Sequence, residues 1–467
     1  MKISLITSPQ ETDLTVSLYI QDNESPKPAV FKAEKNEMWW PSEQQLWLGL
    51  GKKPTAVTVL KSLRTVFHKR IDRWPDAITL DARGVSVEWI EAAVNGIMLG
   101  GYKVNLYKTE EKPYSKFFGK AGTLTVWVDD KTAENERAIF KGKVTAAVQM
   151  RVMDLMNAPA NKKPPRVLAE WALDSGRQHN YKVTVLEKDS LEALGVHALL
   201  SVSKGSEEPP VLIVTEYSPT KYDKTVVLVG KGVTFDTGGV SIKSSANMHM
   251  MKSDMGGAAA VLGAVELAAR LEISLRVVGI IPSTENCVDG ASTKPGDVID
   301  SLSGKTIEVI DTDAEGRLIL ADGISYALKN YKPDVLLDLA TLTGSVVQTL
   351  GYAAAGLFTA NDDLAQQLTT AADQTGERLW RLPIWDEYKD EIKSDIADVR
   401  NYHGKPIAGA IVAAKFLEIF TEDHPAWAHL DIAGTAFGDM DFTPNRAGTA
   451  FGVRLLAEFF SGLTVND

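Results

Sequence analysis

Five short runs between residues 226 and 433 consist almost wholly of β-branched and aliphatic residues: VVLVG (226–230), LRVVGII (275–281), TIEVI (306–310), DVLLDLA (334–340) and AHLDIA (428–433). Helical stretches lie between them, MGGAAAVLGAVELAARL and GRLILADGISYALKN. Strands that stay apolar along their whole length are buried on both faces, and strands alternating with helices are joined by crossovers. The pattern predicts a largely parallel sheet covered by helices. In such sheets ligands bind beyond the carboxyl ends of the strands. That is where this sequence places its polar motifs. KGVTFDTGG begins as VVLVG ends, DTDAEGR as TIEVI ends, and TLTG as DVLLDLA ends.

Upstream the pattern differs. Residues 1–130 mix strand-like runs (LTVSLYI, YKVNLYK) with helical ones (VEWIEAAVNGIML), carry Trp39, Trp40 and Trp47, and hold no charged cluster with catalytic spacing. AENERAIFKGKVTAAVQMRVMDLMN (133–157) reads as one long helix, stopped by NAPANKKPP. A chain of 467 residues exceeds one ordinary core. We therefore expect a smaller amino-terminal α/β domain, residues 1–145, ending in a linker helix, and a second domain, residues 146–467.

Composition narrows the function classes. Acidic residues outnumber basic ones by 61 to 50, a formal charge of -11, which argues against a surface built for phosphate backbones or anionic lipid. The single cysteine, Cys287, excludes an intrachain disulfide and a cysteine-based zinc site. The opening MKISLITSPQETD has too short an apolar stretch for a leader, and no run is long enough to span a bilayer. A cytoplasmic protein is expected.

The charged residues of the motifs suggest chemistry. Asp236, Asp254, Asp313 and Glu315 would face one crevice, where four carboxylates cannot all stay ionised without cations between them. Oxygen ligands suit hard divalent metals, and two ions sharing carboxylates could polarise one water. No histidine falls in these motifs and there is no HExxH helix, so the zinc-protease helix is the wrong template. Blander readings hold for each residue alone. Asp254 suits a helix N-cap, Glu315 and Arg317 a solvated first turn, and Lys231 and Lys243 the surface. Their joint placement in glycine-rich strand ends favours a site. GKGVTFDTGG lacks the GKS or GKT ending of a phosphate-binding loop.

VGKGVTFDTGGVSIK (229–243), MKSDMGGAAAV (251–261) and DTDAEGRLILAD (311–322) resemble the signature segments of the leucyl, or cytosol, aminopeptidases. ATLTG (340–344), RLPIWDEY (381–388), AGAIVAAKFL (408–417) and WAHLDIAGTAF (427–437) continue the resemblance in order. It covers most of residues 147–457. In the amino-terminal domain it is loose, near GIMLGGYKVNLYK (96–108).

The resemblance implies a two-metal aminopeptidase that removes amino-terminal residues, apolar ones such as leucine, from peptides. One metal (manganese or zinc) would use Asp236, Asp313 and Glu315. The other would use Lys231, Asp236, Asp254 and Glu315. Lys243 would stabilise the oxyanion, and Arg317 would hold a bicarbonate ion. Met251, Thr341 and Gly344 would border the pocket for the first side chain. The resemblance also implies a homohexamer. The sequence departs from the family at Asp311, where asparagine is common, and His249 is read as a surface or supporting residue. Two other readings stand beside this one: a metal-dependent phosphoester hydrolase, and a DNA-binding regulator, which the net charge opposes.

Overall fold

Four of the five apolar runs of the second half become neighbours in one nine-stranded sheet. The computed structural model describes residues 1–8, 12–22, 28–110, 113–440 and 443–464. The chain forms two compact units, the first built mainly from Met1–Met150 and the second beginning at Arg151, so that the division falls within the helix Ala133–Asn157.

In the first unit six strands lie in the order Lys2–Ile6, Thr123–Trp127, Ala77–Asp81, Leu14–Tyr19, Gln45–Gly49 and Met38–Ser42, all pairs parallel except the last. The helices Ala56–Lys69 and Val87–Gly100 bury Leu60, Leu63, Phe67, Val94 and Ile97 in its core. The strand expected at YKVNLYK does not form. The segment follows the end of the helix at Gly100, pairs with no strand, and leaves Val104 and Tyr107 exposed. Alternation is a local signal, and tertiary context decides whether it becomes a strand.

In the second unit the sheet comprises β1 (Lys182–Leu186), β2 (Val211–Tyr217), β3 (Thr225–Gly230), β4 (Gly232–Asp236), β5 (Arg276–Asn286), β6 (Val335–Ala340), β7 (Ala355–Phe358), β8 (Leu379–Arg381) and β9 (Trp427–Asp431). Their order is β8-β7-β9-β6-β3-β5-β2-β1, with β4 continuing β3 and pairing the far half of β5. The four central strands β9, β6, β3 and β5 are mutually parallel, and antiparallel pairs appear only towards the edges. The sequence expectation of a mostly parallel α/β sheet is met. Every residue of β3, β6 and β9 is buried, as burial on both faces requires.

Helix α1 (Gly256–Arg270) and helix α2 (Glu315–Asn330) pack on the sheet and start at its carboxyl edge. α1 approaches so closely that a Cβ on Gly257 would lie 1.9 Å from Leu339 O. Only glycine fits there.

One expectation needs correction. TIEVI is not a strand of the central sheet. Only Thr306–Glu308 is extended, in a separate three-stranded sheet with Val298–Asp300 and Val399–Arg400. The turn that follows is positioned by Asn401, whose side-chain oxygen accepts the Ile310 N–H at 2.8 Å and whose amide donates to Asp311 O at 2.6 Å.

Candidate metal centre

The parallel central strands bring their carboxyl ends to one edge, and the charged motifs meet there. Lys231 follows β3, Asp236 ends β4, Asp254 precedes α1 and Glu315 opens α2. All four are buried. Lys231 Nζ lies 2.7 Å from Asp254 Oδ2 and 2.8 Å from Glu315 Oε1, and donates to Thr341 O at 3.1 Å. Lys243 Nζ lies 2.8 Å from Asp236 Oδ2 and also contacts Asp313. Among the described residues, oxygens of Asp236, Asp313 and Glu315 stand within 4.8 Å of one another.

Negative charge is in excess, because four carboxylates face two lysines. Burial, reinforced by the Glu315 and Asp236 charges, pushes the Asp254 carboxyl up to about 8. Burial and the charges of Asp236 and Glu315 push Asp313 up to about 7. Glu315 is also raised, by burial first and then by Asp236. Burial alone would lower the lysines, but the surrounding carboxylates outweigh it and hold both Lys231 and Lys243 above the ordinary lysine value. Asp254 Oδ2 and both carboxylate oxygens of Glu315 are buried without an aligned hydrogen-bond donor, despite the nearby ammonium. A buried acceptor without a donor is costly. These oxygen donors, crowded and under-satisfied, fit divalent cations.

Neutral residues hold the cluster in place. Asn286 Nδ2 and Gly238 N–H each donate to Asp236 Oδ1 at 2.8 Å. Thr341 Oγ1 donates to Asp254 Oδ1 at 2.7 Å. Thr312 Oγ1 accepts from Ser241 N–H and donates to Gly238 O, tying the Lys243 loop to the DTDAEGR turn. Gly238 turns this loop at φ +88°. Arg317 is buried, donates to Asn401 O at 2.7 Å and leaves Nε without a partner. Burial lowers its pKa, against the raising effect of Glu315.

A cleft of about 790 Å³ opens over the cluster. Its walls include Lys243, Met251, Arg317, Thr341 and Gly344. The structure therefore brings every sequence-predicted site residue to one place. Asp311 also lines the cleft, and its Oδ1 accepts the Asp313 N–H at 2.9 Å, a local turn that orients Asp313. His249 is exposed and does not line the cleft. The supporting amides Asn286 and Asn401 were missed from sequence. Asn286 carried one readable signal, its place just beyond the apolar run LRVVGII.

Residues 150–457 match the model of the cytosol aminopeptidase family, catalytic domain. The chain belongs to the cytosol aminopeptidase family. This aminopeptidase is 43% identical over 431 residues to a probable cytosol aminopeptidase of Chlorobaculum tepidum, covering 89% of this chain and 85% of that one. It is 48% identical over 383 residues to a probable cytosol aminopeptidase of Chlorobium luteolum, covering 79% and 75%. Among solved structures it is similar to the bottromycin maturation enzyme BotP in complex with Mn, with a TM-score of 0.86 and 33% identity over 97% of this chain and 100% of that one. The aminopeptidase is thus a metal-dependent peptide hydrolase. No helix among its described residues is long and apolar enough to cross a membrane.

Proposed function

We propose that this enzyme holds two divalent ions, manganese or zinc, in the carboxylate cluster and removes apolar amino-terminal residues such as leucine from peptides. Asp236, Asp313 and Glu315 would hold one ion. Lys231, its amine neutral once a cation displaces the proton, would hold the other with Asp236, Asp254 and Glu315, with Asp236 and Glu315 shared. The observation that carries this reading is the group of buried carboxylate oxygens, several without donors, at the floor of a cleft. Bound divalent ions supply Lewis acidity and lower the pKa of water. The BotP structure, in complex with Mn, supports manganese as one candidate.

The chain's own residues do the rest. Lys243 stays an ammonium among its carboxylate neighbours. It is partly open to the cleft and placed to stabilise an oxyanion developing on the substrate carbonyl. Arg317 supplies the buried positive charge that would hold a bicarbonate ion, whose acid–base chemistry suits the proton transfer that peptide hydrolysis requires. Asn401 fixes the guanidinium through its carbonyl. Met251, Thr341 and Gly344 border the part of the cleft that would receive the first side chain, and the thioether of Met251 suits an apolar one. We assign this chemistry to residues 146–467 and place the enzyme in the cytoplasm as a homohexamer. Exposed Trp380, Trp385, Ile396 and Ile407 accord with subunit contacts, and sedimentation as a monomer would remove that part of the reading.

The test is to strip the enzyme with a chelator and reload it with manganese, zinc, cobalt or magnesium. Each form is then assayed against a panel of aminoacyl anilides. Turnover should be lost on stripping and return with the correct metal, fastest on leucine. Lys243→Ala and Glu315→Ala should each nearly abolish it. Strong phosphatase turnover without anilide hydrolysis would overturn the reading.

A further inference from the structure

Lys163 has no exposed surface, although its segment NAPANKKPP looks like a solvated breaker. Among the described residues its only recorded partners are carbonyl oxygens: Nζ donates to Lys252 O at 2.5 Å and to Met156 O at 3.5 Å. Burying an ammonium without a carboxylate is expensive. Burial, with the nearby Lys252 charge, lowers the Lys163 pKa to about 7.

Both carbonyls lie at the ends of helical segments. Met156 O is in the last turn of the helix Ala133–Asn157, and Lys252 O is near the end of the short 3₁₀ segment Met248–Ser253. Terminal helix carbonyls lack intrahelical donors and carry the negative end of the dipole, which favours a cation. Lys252 returns the contact, its Nζ donating to Asn157 O at 3.0 Å. Two lysines thus clasp the short turn to the end of the long helix.

The clasped turn carries Met251 at the cleft and leads directly to Asp254. A six-residue turn of 3₁₀ geometry has little stability of its own. At its ends Met248 N–H donates to Ser245 O at 3.3 Å, Met250 N–H to Asn247 O at 2.9 Å and Asp254 N–H to Met251 O at 3.2 Å, and Ser253 Oγ donates to Met250 O at 2.7 Å. Asn247, at its start, adopts φ +63°.

We propose that Lys163 is a positioning residue of this aminopeptidase, its side-chain nitrogen fixing by hydrogen bonds the Met251–Asp254 segment and so both one wall of the side-chain pocket and one metal-binding carboxylate. The metal part rests on Asp254 being a ligand, as assigned above.

The test uses the full chain. Manganese binding to Lys163→Met is followed by calorimetry, and KM and kcat are measured on leucine and alanine anilides beside urea stability. Binding at one of the two sites should weaken about 10–100-fold, the range typical of residues that support metal ligands, while the other site is unchanged. KM for the leucine anilide should rise more than KM for the alanine anilide. Lys252→Met, which cuts the reciprocal contact at a half-exposed side chain, should give the same pattern more weakly and serves if Lys163→Met does not fold. A lower urea midpoint with both manganese affinities and both KM values as in the parent would overturn the proposal and leave Lys163 a structural cap. Asp254→Asn in parallel separates the two readings. If it binds manganese like the parent, the ligand assignment fails, and the KM difference alone decides the role of Lys163.

Discussion

Replacing Lys231 by methionine removes a positive charge from beneath two buried carboxylates. Its Nζ lies 2.7 Å from Asp254 Oδ2 and 2.8 Å from Glu315 Oε1, whose side chains are 9% and 2% exposed. Taking one partner from a buried ion pair costs about 3–5 kcal/mol, because the other charge is left uncompensated. Two carboxylates lose the same ammonium, yet the cost does not double. Burial and the neighbouring carboxylates hold the Asp254 carboxyl above the ordinary range, so it can relieve the lost charge by taking up a proton. For a unit of this size each kcal/mol moves the melting temperature by about 1.5 °C, so metal-free Lys231→Met should melt roughly 5–8 °C below the metal-free parent. Both proteins are stripped with a chelator and melted side by side, followed by circular dichroism. Melting temperatures agreeing within about 1 °C, less than 1 kcal/mol on the same scale, would refute the view that Lys231 is the counter-charge of this cluster.

Two further outcomes follow from the packing. Gly257→Ala places a Cβ 1.9 Å from Leu339 O and 3.0 Å from Lys231 N. It should cost about 1–3 kcal/mol or more, lowering the urea midpoint and turnover together, whereas Gly290→Ala, with nothing within 4 Å, should change neither. Asp322 accepts the N–H groups of Leu199 and Leu302, yet burial outweighs them and lifts its carboxyl to about 7. The folded protein therefore keeps a proton that the unfolded chain has lost above about pH 4. This contribution to stability is complete below that value and is lost as the pH rises through 7. Asp322→Asn should flatten the fall in urea midpoint between pH 5 and 8. Equal slopes for variant and parent would contradict it.

How far the sequence could be read depended on the kind of signal. The strands at Thr225–Gly230, Val335–Ala340 and Trp427–Asp431 were legible because burial on both faces leaves mainly apolar runs, even with Asp338, His429 and Asp431 buried within the last two. The run TIEVI looks the same, but its partners Val298–Asp300 and Val399–Arg400 assign it to another sheet, and partner identity is not local information. YKVNLYK had the right alternation yet pairs with no strand, and pairing is not local information. In the site, charged residues in apolar, glycine-rich surroundings stood out. Asn286 and Asn401 did not, since amides are common in loops and their value appears only when the fold brings Asp236 and Ile310 to them from 50 and 91 residues away. Lys163 was concealed by its setting among Lys162, Pro164 and Pro165, which reads as solvent-exposed.

Lys231, Asp236, Asp254, Asp313 and Glu315 are proposed to hold two ions. The direct measurement is a manganese titration of the stripped enzyme, with bound metal counted by elemental analysis after dialysis. The account predicts two ions per chain for the parent, one for Asp254→Asn and loss of both tight sites for Glu315→Gln. A single ion in the parent, or two ions bound with parental affinity by Glu315→Gln, would contradict it.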